Sequence, residues 1–519
     1  MIYGILMFGT VLSVMFIPII ISLSLNFSIF RSQGYFTLSV YGLYIVFYMC
    51  LQMIFAYFNR HRVLKINKDS PEISGKYNLL VVGFREDPIL FRNCLKSIME
   101  LSHSENLHRI FVVIDGNEPG DEYMAKISHD ILRANVIHMT ELLSKDPEID
   151  ILDGSNSRYI CILQPHKGKR HALYTGLKLS CQYDLVDGVL CTDSDTVLGI
   201  DSLYYLSNLL ESDEKYGAVT GNVEIVNKNS FISLLSSYRY WFACNLERGY
   251  QSFNNCVLCV SGPLGLYKTE CLNQFLELWV NQKFMKKECT YGDDRHLTNN
   301  ILMLGKRVGY TQLATCFTES PETFSRFFTQ QIRWCKSSIR EFGWNLKSID
   351  KHSPWMTIDL IYQSVYSFLV LGSLIYIMFF GSTFQLLVYF TTLMVINAMK
   401  GLYAYGMSGD PEYILFTFYG IVYICFLAPA KLYAGITLTD TDWGTSTRIQ
   451  VLDKLKPEHI FLVLWNLVII GGVSFNIYRN HQDYGQLEIA IAGSVGGYII
   501  LVMLIIYGLS FRKRERLAE

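Results

Sequence analysis

The chain lacks net charge: 45 Lys and Arg against 46 Asp and Glu leave −1 over 519 residues. Such a balance argues against a nucleic-acid binder, which needs a basic face. Charge is also missing over whole stretches. No charged side chain precedes Arg31, and none lies between Ser32 and Asn59. Each stretch is long enough to cross a hydrocarbon core of ~30 Å. A cleaved signal peptide fits poorly, because the first stretch has no basic start, is too long, and runs straight into a second span. Two phosphate-binding elements are absent as well. Neither Gly-x-x-x-x-Gly-Lys-Ser/Thr nor Gly-x-Gly-x-x-Gly occurs, which counts against a P-loop ATPase or a dinucleotide enzyme. Zinc-finger spacing is missing too: Cys256 and Cys259 form a lone Cys-x-x-Cys with no second pair or His cluster.

What is present is apolar and segregated. Half of the residues are hydrophobic, too many for a purely soluble enzyme. Residues 1–60 read as two transmembrane helices. Residues 356–511 read as a second membrane region, with apolar stretches near 357–380, 383–399, 412–432, 459–478 and 487–510. Arg60, Arg62, Lys65 and Lys68 follow the second leading span, whereas the loop before it holds only Arg31. By the positive-inside tendency, the amino terminus and the middle region face the cytoplasm. There the thirteen cysteines are expected as free thiols. To keep Arg512-Lys513-Arg514 inside with Lys400, Lys431, Arg448, Lys454 and Lys456, the stretch 412–432, which contains Pro429, is expected at the interface instead of crossing. About six transmembrane helices result.

Between residues 76 and 322, short apolar runs alternate with amphipathic stretches, the pattern of an α/β domain. The runs are Leu79 to Phe84, Ile110 to Ile114, Tyr159 to Leu163, Val186 to Cys191 and Ala218 to Val226. Ligands bind beyond the carboxyl ends of strands in such sheets. The residues there are Arg85-Glu86-Asp87, Asp115-Gly116, His166 to Arg170 and Asp193-Ser194-Asp195. Asp193 and Asp195 offer hard carboxylate oxygens that can share Mg2+ or Mn2+ with a substrate diphosphate. A second Asp-x-Asp, Asp440 and Asp442, follows a membrane segment instead of a strand and reads as a solvated turn.

Gly292-Asp293-Asp294-Arg295 opens a helix. Its carboxylates suit either the helix dipole or a base that deprotonates an acceptor hydroxyl. Spacing alone leaves both open. In Gln330-Gln331-Ile332-Arg333-Trp334, the amide of Gln330, the cation of Arg333 and the indole of Trp334 share one helix face. Arg suits a diphosphate and Trp a sugar ring. Phe324, Phe327 and Phe328 precede them, so 323–345 reads as an amphipathic interface helix.

Taken in order, Asp-Gly, Asp-x-Asp, Gly-Asp-Asp and Gln-x-x-Arg-Trp resemble the processive membrane glycosyltransferases that include cellulose, chitin and hyaluronan synthases. Arg85 to Pro88, Gly168 to Arg170, Arg239 to Trp241, Ser261 to Gly265, Gly292 to Asn299 and Trp443 to Thr445 bring the resemblance nearest to hyaluronan synthases, over nearly the whole chain. It implies a Rossmann-like glycosyltransferase A domain inserted between membrane helices, inverting transfer, and alternating use of UDP-glucuronic acid and UDP-N-acetylglucosamine to extend a polysaccharide. A multi-pass protein of the plasma membrane, in contact with lipid, is expected, and no required protein partner is evident in the sequence.

Carried over, Arg85, Glu86, Asp115, Lys169, Arg170 and Asp193 border the UDP. Asp195 with Asp193 holds the cation, and Asp294, supported by Asp293, is the base. Cys259, Gln330, Arg333 and Trp334 border diphosphate and acceptor. Trp443, Gly444, Thr445 and Arg448 belong to a gating loop, 440–448, although Ser446 and Thr447 intervene before Arg448 where the shorter family pattern has Arg at once. Cys335 follows Trp334 where Ser is familiar, a space that a thiol can fill. Gln363, Gln385 and Asn397 are candidates for a polymer tunnel or for interhelical hydrogen bonds. A chitin or other single-sugar synthase is the near alternative, and a non-catalytic sugar-binding scaffold the distant one.

Overall fold

The computed structural model describes residues 35–69, 73–143, 157–439 and 456–481. The first expected span up to residue 34, the gating-loop residues Trp443, Gly444, Thr445 and Arg448, the pair Asp440 and Asp442, the last apolar stretch and the basic tail lie outside the described residues.

The expected apolar runs form strands: β1 (Tyr77–Gly83), β2 (Leu107–Ile114), β4 (Tyr159–Leu163), β5 (Gly188–Asp193) and β7 (Tyr216–Ile225). Their continuous hydrophobicity follows from burial on both faces; every residue of β1 is buried. Further strands complete the fold: β3 (Asn135–His138), β6 (Val197–Leu198), β8 (Gly265–Lys268), the hairpin β9 (Lys283–Phe284) and β10 (Lys287–Glu288), and β11 (Arg307–Thr318). The main sheet runs β3-β4-β2-β1-β5-β8-β7-β11-β6. It is parallel from β3 to β5, antiparallel at β8 on both sides, and parallel again between β7 and β11. The run pattern implied an α/β domain, and this mixed, helix-covered sheet is the glycosyltransferase A architecture that the resemblance implied.

Helix α1 (Tyr35–Asp69) precedes the sheet, and the covering helices include α2 (Pro88–Met99), α3 (Glu122–Leu132), α4 (Lys169–Tyr183), α5 (Ser202–Glu211), α6 (Phe231–Phe242) and α7 (Asp293–Met303). Asp87 caps α2 by accepting from the backbone N–H of Ile89 and Leu90, and Pro88 occupies the first turn. The chain then passes into α8 (Phe324–Asn345), α9 (Pro354–Phe380), α10 (Thr383–Ser408), α11 (Pro411–Ile436) and α12 (Pro457–Asn480). Among the described residues, α10, α11 and α12 are long and apolar enough to cross a membrane. A second apolar core joins α6, α8 and these helices.

Pro429 lies within α11, in the first turn of its last portion, and does not end the segment. The segment begins as a 3-10 helix and passes through a π turn at Tyr423–Leu427 before Ala428–Ile436. All thirteen cysteines are free thiols.

Candidate active site

Asp193, Asp195, Asp294 and Trp334 line one cavity of about 1520 Å³. Three distant stretches of sequence meet there because β5 delivers its carboxylates at the carboxyl edge of the sheet, while α7 and α8 close the opposite wall. The ends of β1 and β2 contribute Glu86 and Asp115 to the same lining.

On the nucleotide side, Lys169, at the start of α4, donates to Asp193 Oδ1. Burial favours the neutral amine, but Asp193, Asp293 and Asp294 outweigh it and raise the pKa above the ordinary lysine value. Asp115 is buried and accepts from the backbone N–H of Lys167 (3.1 Å) and Gly168 (2.8 Å). Burial raises its pKa, and those N–H groups, with His166 and Gln164, oppose the rise. Its carboxylate therefore shapes the 164–168 turn, where the His166 ring stacks on Phe84 at 4.2 Å. Glu86 Oε2 accepts from Ser194 Oγ at 3.3 Å, tying the end of β1 to Asp193-Ser194-Asp195.

Two expected nucleotide contacts lie elsewhere. Arg85 occupies a left-handed turn at φ 46° and gives its guanidinium to Asp121 (2.8 Å) and Glu118 (2.7 Å), outside the cavity lining. Arg170 is also outside that lining: it is 3% exposed and donates from Nε to Asp293 Oδ1 at 2.7 Å. Its other donations reach Gln282 Oε1 and the carbonyl of Trp279. A charge beside a strand end or helix start does not by itself say which way it points.

Asp293 is thereby fixed, while Asp294 is only half-buried and lines the cavity. The turn before them needs its glycine: Gly292 has φ 85°, and a Cβ there would collide with Ser337 Oγ of α8. Cys259 Sγ donates to Asp294 Oδ2 at 3.6 Å. Gln330, Arg333 and Trp334 all reach the cavity, as one helix face should. Burial lowers the Arg333 guanidinium to about 10. Trp334 is 41% exposed and meets Tyr240 edge-on at 5.8 Å.

The cavity does not stop at Trp334. It continues among α9, α10 and α11, past Gln363, Asn397, Lys400 and Lys431. Tyr362, Tyr366 and Tyr423 line it in a row with centroids 5.2 and 5.7 Å apart. Gln385 is not part of this wall: it caps α10 by accepting from the backbone N–H of Ser382. Lys400 and Lys431, expected on the cytoplasmic side, lie on α10 and α11 and line the cavity. Arg248, Tyr291 and Asp359 line it as well. Sequence reasoning missed them, because none belongs to a motif.

Among the described residues, no three or more His, Cys, Asp and Glu side chains gather as a set that could hold a metal ion. Asp193 and Asp195 nevertheless present hard oxygens on the cavity wall. This donor set suits a cation that takes its remaining ligands from water and a diphosphate, as Mg2+ does, and not one that needs a closed protein cage.

Residues 75–337 match the family described as Glycosyltransferase like family 2. Hyaluronan synthase 3 of Homo sapiens is 33% identical over 514 residues, which are 93% of this chain and 91% of that protein. Hyaluronan synthase 2 of Homo sapiens is 34% identical over 86% of this chain and 83% of its own length. Hyaluronan synthase 1 of Xenopus tropicalis is 33% identical over 87% and 80%. A solved mannosyltransferase from Pyrobaculum calidifontis, in complex with GDP-Man and Mn2+, aligns over 85% of this chain and 99% of its own at 17% identity and a TM-score of 0.41. That likeness is too remote to carry chemistry across.

Proposed function

Because this chain belongs to the hyaluronan synthases, membrane glycosyltransferases of family 2 that build hyaluronan from nucleotide sugars, we propose that it alternates UDP-glucuronic acid and UDP-N-acetylglucosamine in the single cleft bounded by Asp193, Asp195, Asp294 and Trp334. The observation that carries this reading is the continuity of that cleft with the passage between α9, α10 and α11. One cavity serves both transfer and exit.

Glu86, Asp115 and Lys169 border the nucleotide, and the Lys169 ammonium, already held by Asp193, adds positive charge where a diphosphate arrives. Asp195, with Asp193, would hold Mg2+ or Mn2+, which when bound offsets the negative charge of the departing UDP. Arg333 offers a planar cation to the same phosphates. Asp294 takes the proton from the acceptor hydroxyl, and attack on the opposite face of the sugar carbon inverts it in one displacement. Arg170 keeps Asp293 in place beneath Asp294. Trp334 and Gln330 hold the acceptor sugar in line. Behind them, the tyrosine row gives the polymer amphipathic faces to slide along, and Gln363 and Asn397 give it hydrogen-bonding edges. A hydrophilic chain crossing lipid needs such a lining. In this reading the sheet domain and both termini face the cytoplasm of a plasma membrane.

The decisive experiment supplies the purified protein in detergent with each UDP-sugar alone and with both. Polymer formed only from the pair supports hyaluronan. Polymer from UDP-N-acetylglucosamine alone would make the enzyme a chitin-type synthase, and no turnover under any condition would leave a sugar-binding scaffold.

A further inference from the structure

Helix α8 carries two kinds of side chain. Gln330, Arg333 and Trp334 enter the cavity, while two turns later Arg340 and Glu341 are 4% and 2% exposed and lie outside its lining. A carboxylate buried to that degree is costly unless donors surround it. Glu341 has three. Its Oε1 accepts from Gln282 Nε2 at 2.5 Å, and its Oε2 accepts from Asn299 Nδ2 at 2.6 Å and from His296 Nδ1 at 3.0 Å. These donors hold it ionised despite burial: desolvation raises its pKa, but they overcome that and leave it below the ordinary glutamate value. An ionised carboxylate only accepts, so Nδ1 of His296 carries the proton.

The partners of Glu341 surround the proposed base. His296 and Asn299 stand on α7, the helix that opens with Asp293 and Asp294. Gln282 passes the connection on: its Oε1 accepts from Arg170 NH1 at 2.7 Å, and Arg170 Nε donates to Asp293. Two further contacts run between the same partners. Arg340 donates to the carbonyl of Tyr291 at 3.0 Å and stacks over its ring at 4.2 Å, just before Gly292. Gly292 itself leaves room for Ser337. The helix that presents Trp334 to the acceptor thus grips the turn and helix that present Asp294.

We propose that Glu341 is a positioning residue that yokes α8 to α7, so that the acceptor platform at Trp334 and the base at Asp294 hold one fixed spacing. It touches neither substrate nor the cavity. Trp334 and Glu341 are separated by two helical turns on the same side of α8, about 10 Å along the axis. A shift between α7 and α8 would alter the distance from the acceptor hydroxyl to Asp294 without moving Asp193, Asp195 or Lys169. In-line transfer is sensitive at the scale of about 1 Å, which costs roughly 100-fold in rate. The proposal rests on the reading of Asp294 as the base.

The test uses the full-length protein in detergent and Glu341→Gln, which keeps the shape but turns an N–H donor toward other donors. UDP affinity by titration, KM and kcat for the sugar pair, and UDP released without polymer growth are measured together. The expected result is UDP affinity and KM within about twofold of wild type, with kcat for polymer at least about tenfold lower and a larger share of sugar lost to water. Wild-type kcat would overturn the proposal. So would a parallel fall in UDP binding and kcat, the sign of a merely structural role. Should Glu341→Gln not fold, Asn299→Ala removes one of the three donors and must give the same split at smaller size; no split overturns the proposal. Asp294→Asn run alongside separates the two readings: if it still makes polymer, Asp294 is not the base, whereas an inactive Asp294→Asn beside an unaffected Glu341→Gln sinks only the yoke.

Discussion

The thiol of Cys259 points at the carboxylate of Asp294, with Sγ 3.6 Å from Oδ2. Burial, then the negative charge of Asp294, pushes this thiol up to about 11. At neutral pH it stays protonated and donates to the carboxylate instead of competing as a nucleophile. With a thiolate fraction of roughly one in ten thousand at pH 7, Cys259 is expected to resist iodoacetamide there despite lining the cavity. Reaction should rise about tenfold per pH unit toward pH 10, as mass spectrometry of the modified peptide would reveal. Rapid labelling at pH 7 would contradict the assignment.

Replacing Asp294 by Asn keeps its size but removes its capacity to accept a proton. Polymer synthesis should fall by at least about 1000-fold, while UDP affinity stays within about twofold because Asp193, Asp195 and Lys169 are untouched. Radiolabelled sugar incorporation and nucleotide titration on the same preparation check both halves.

Asp195→Ala removes a hard oxygen from the nucleotide side of the cleft. UDP titrations with and without Mn2+ should differ strongly for the wild-type protein and hardly at all for the variant. Retention of the full Mn2+ effect would move the cation to other residues.

Gly292→Ala places a Cβ in a left-handed backbone conformation and against Ser337. Strain and overpacking together predict a loss of about 2 kcal/mol or more, read as a lower thermal midpoint in detergent. Transfer should fall further than stability does, since the same turn presents Asp294. The double change with Ser337→Gly relieves only the collision and should recover part of the stability.

Much of this was legible in the sequence, for identifiable reasons. Strands β1, β2, β4 and β5 are buried on both faces, so they read as apolar runs bounded by polar turns. Strand β11 was not seen: Arg307, Gln312 and several Thr residues interrupt it, and its second half is only partly covered. β8 is four residues long and gives no periodic signal. Asp193, Asp195, Asp294, Arg333 and Trp334, which line the cavity, stand out in the sequence because each belongs to a short motif. The placement of Arg85 and Arg170 outside the cavity lining was not legible, because local sequence cannot show whether a guanidinium turns to a ligand or to Asp121 and Asp293. That Lys400 and Lys431 line the cavity is not legible in the sequence, because hydropathy cannot register a cavity between helices. Glu341 was invisible for a third reason: its partners Gln282 and His296 lie 59 and 45 residues away, and each alone is an ordinary polar side chain.

Coupling of transfer to export through one cavity is most directly tested in sealed vesicles holding the full-length protein, with both UDP-sugars added outside. Polymer made by molecules whose sheet domain faces the added nucleotides should accumulate in the lumen and survive external hyaluronidase until detergent opens the vesicles. Polymer that is wholly digested before the vesicles are opened would contradict the account.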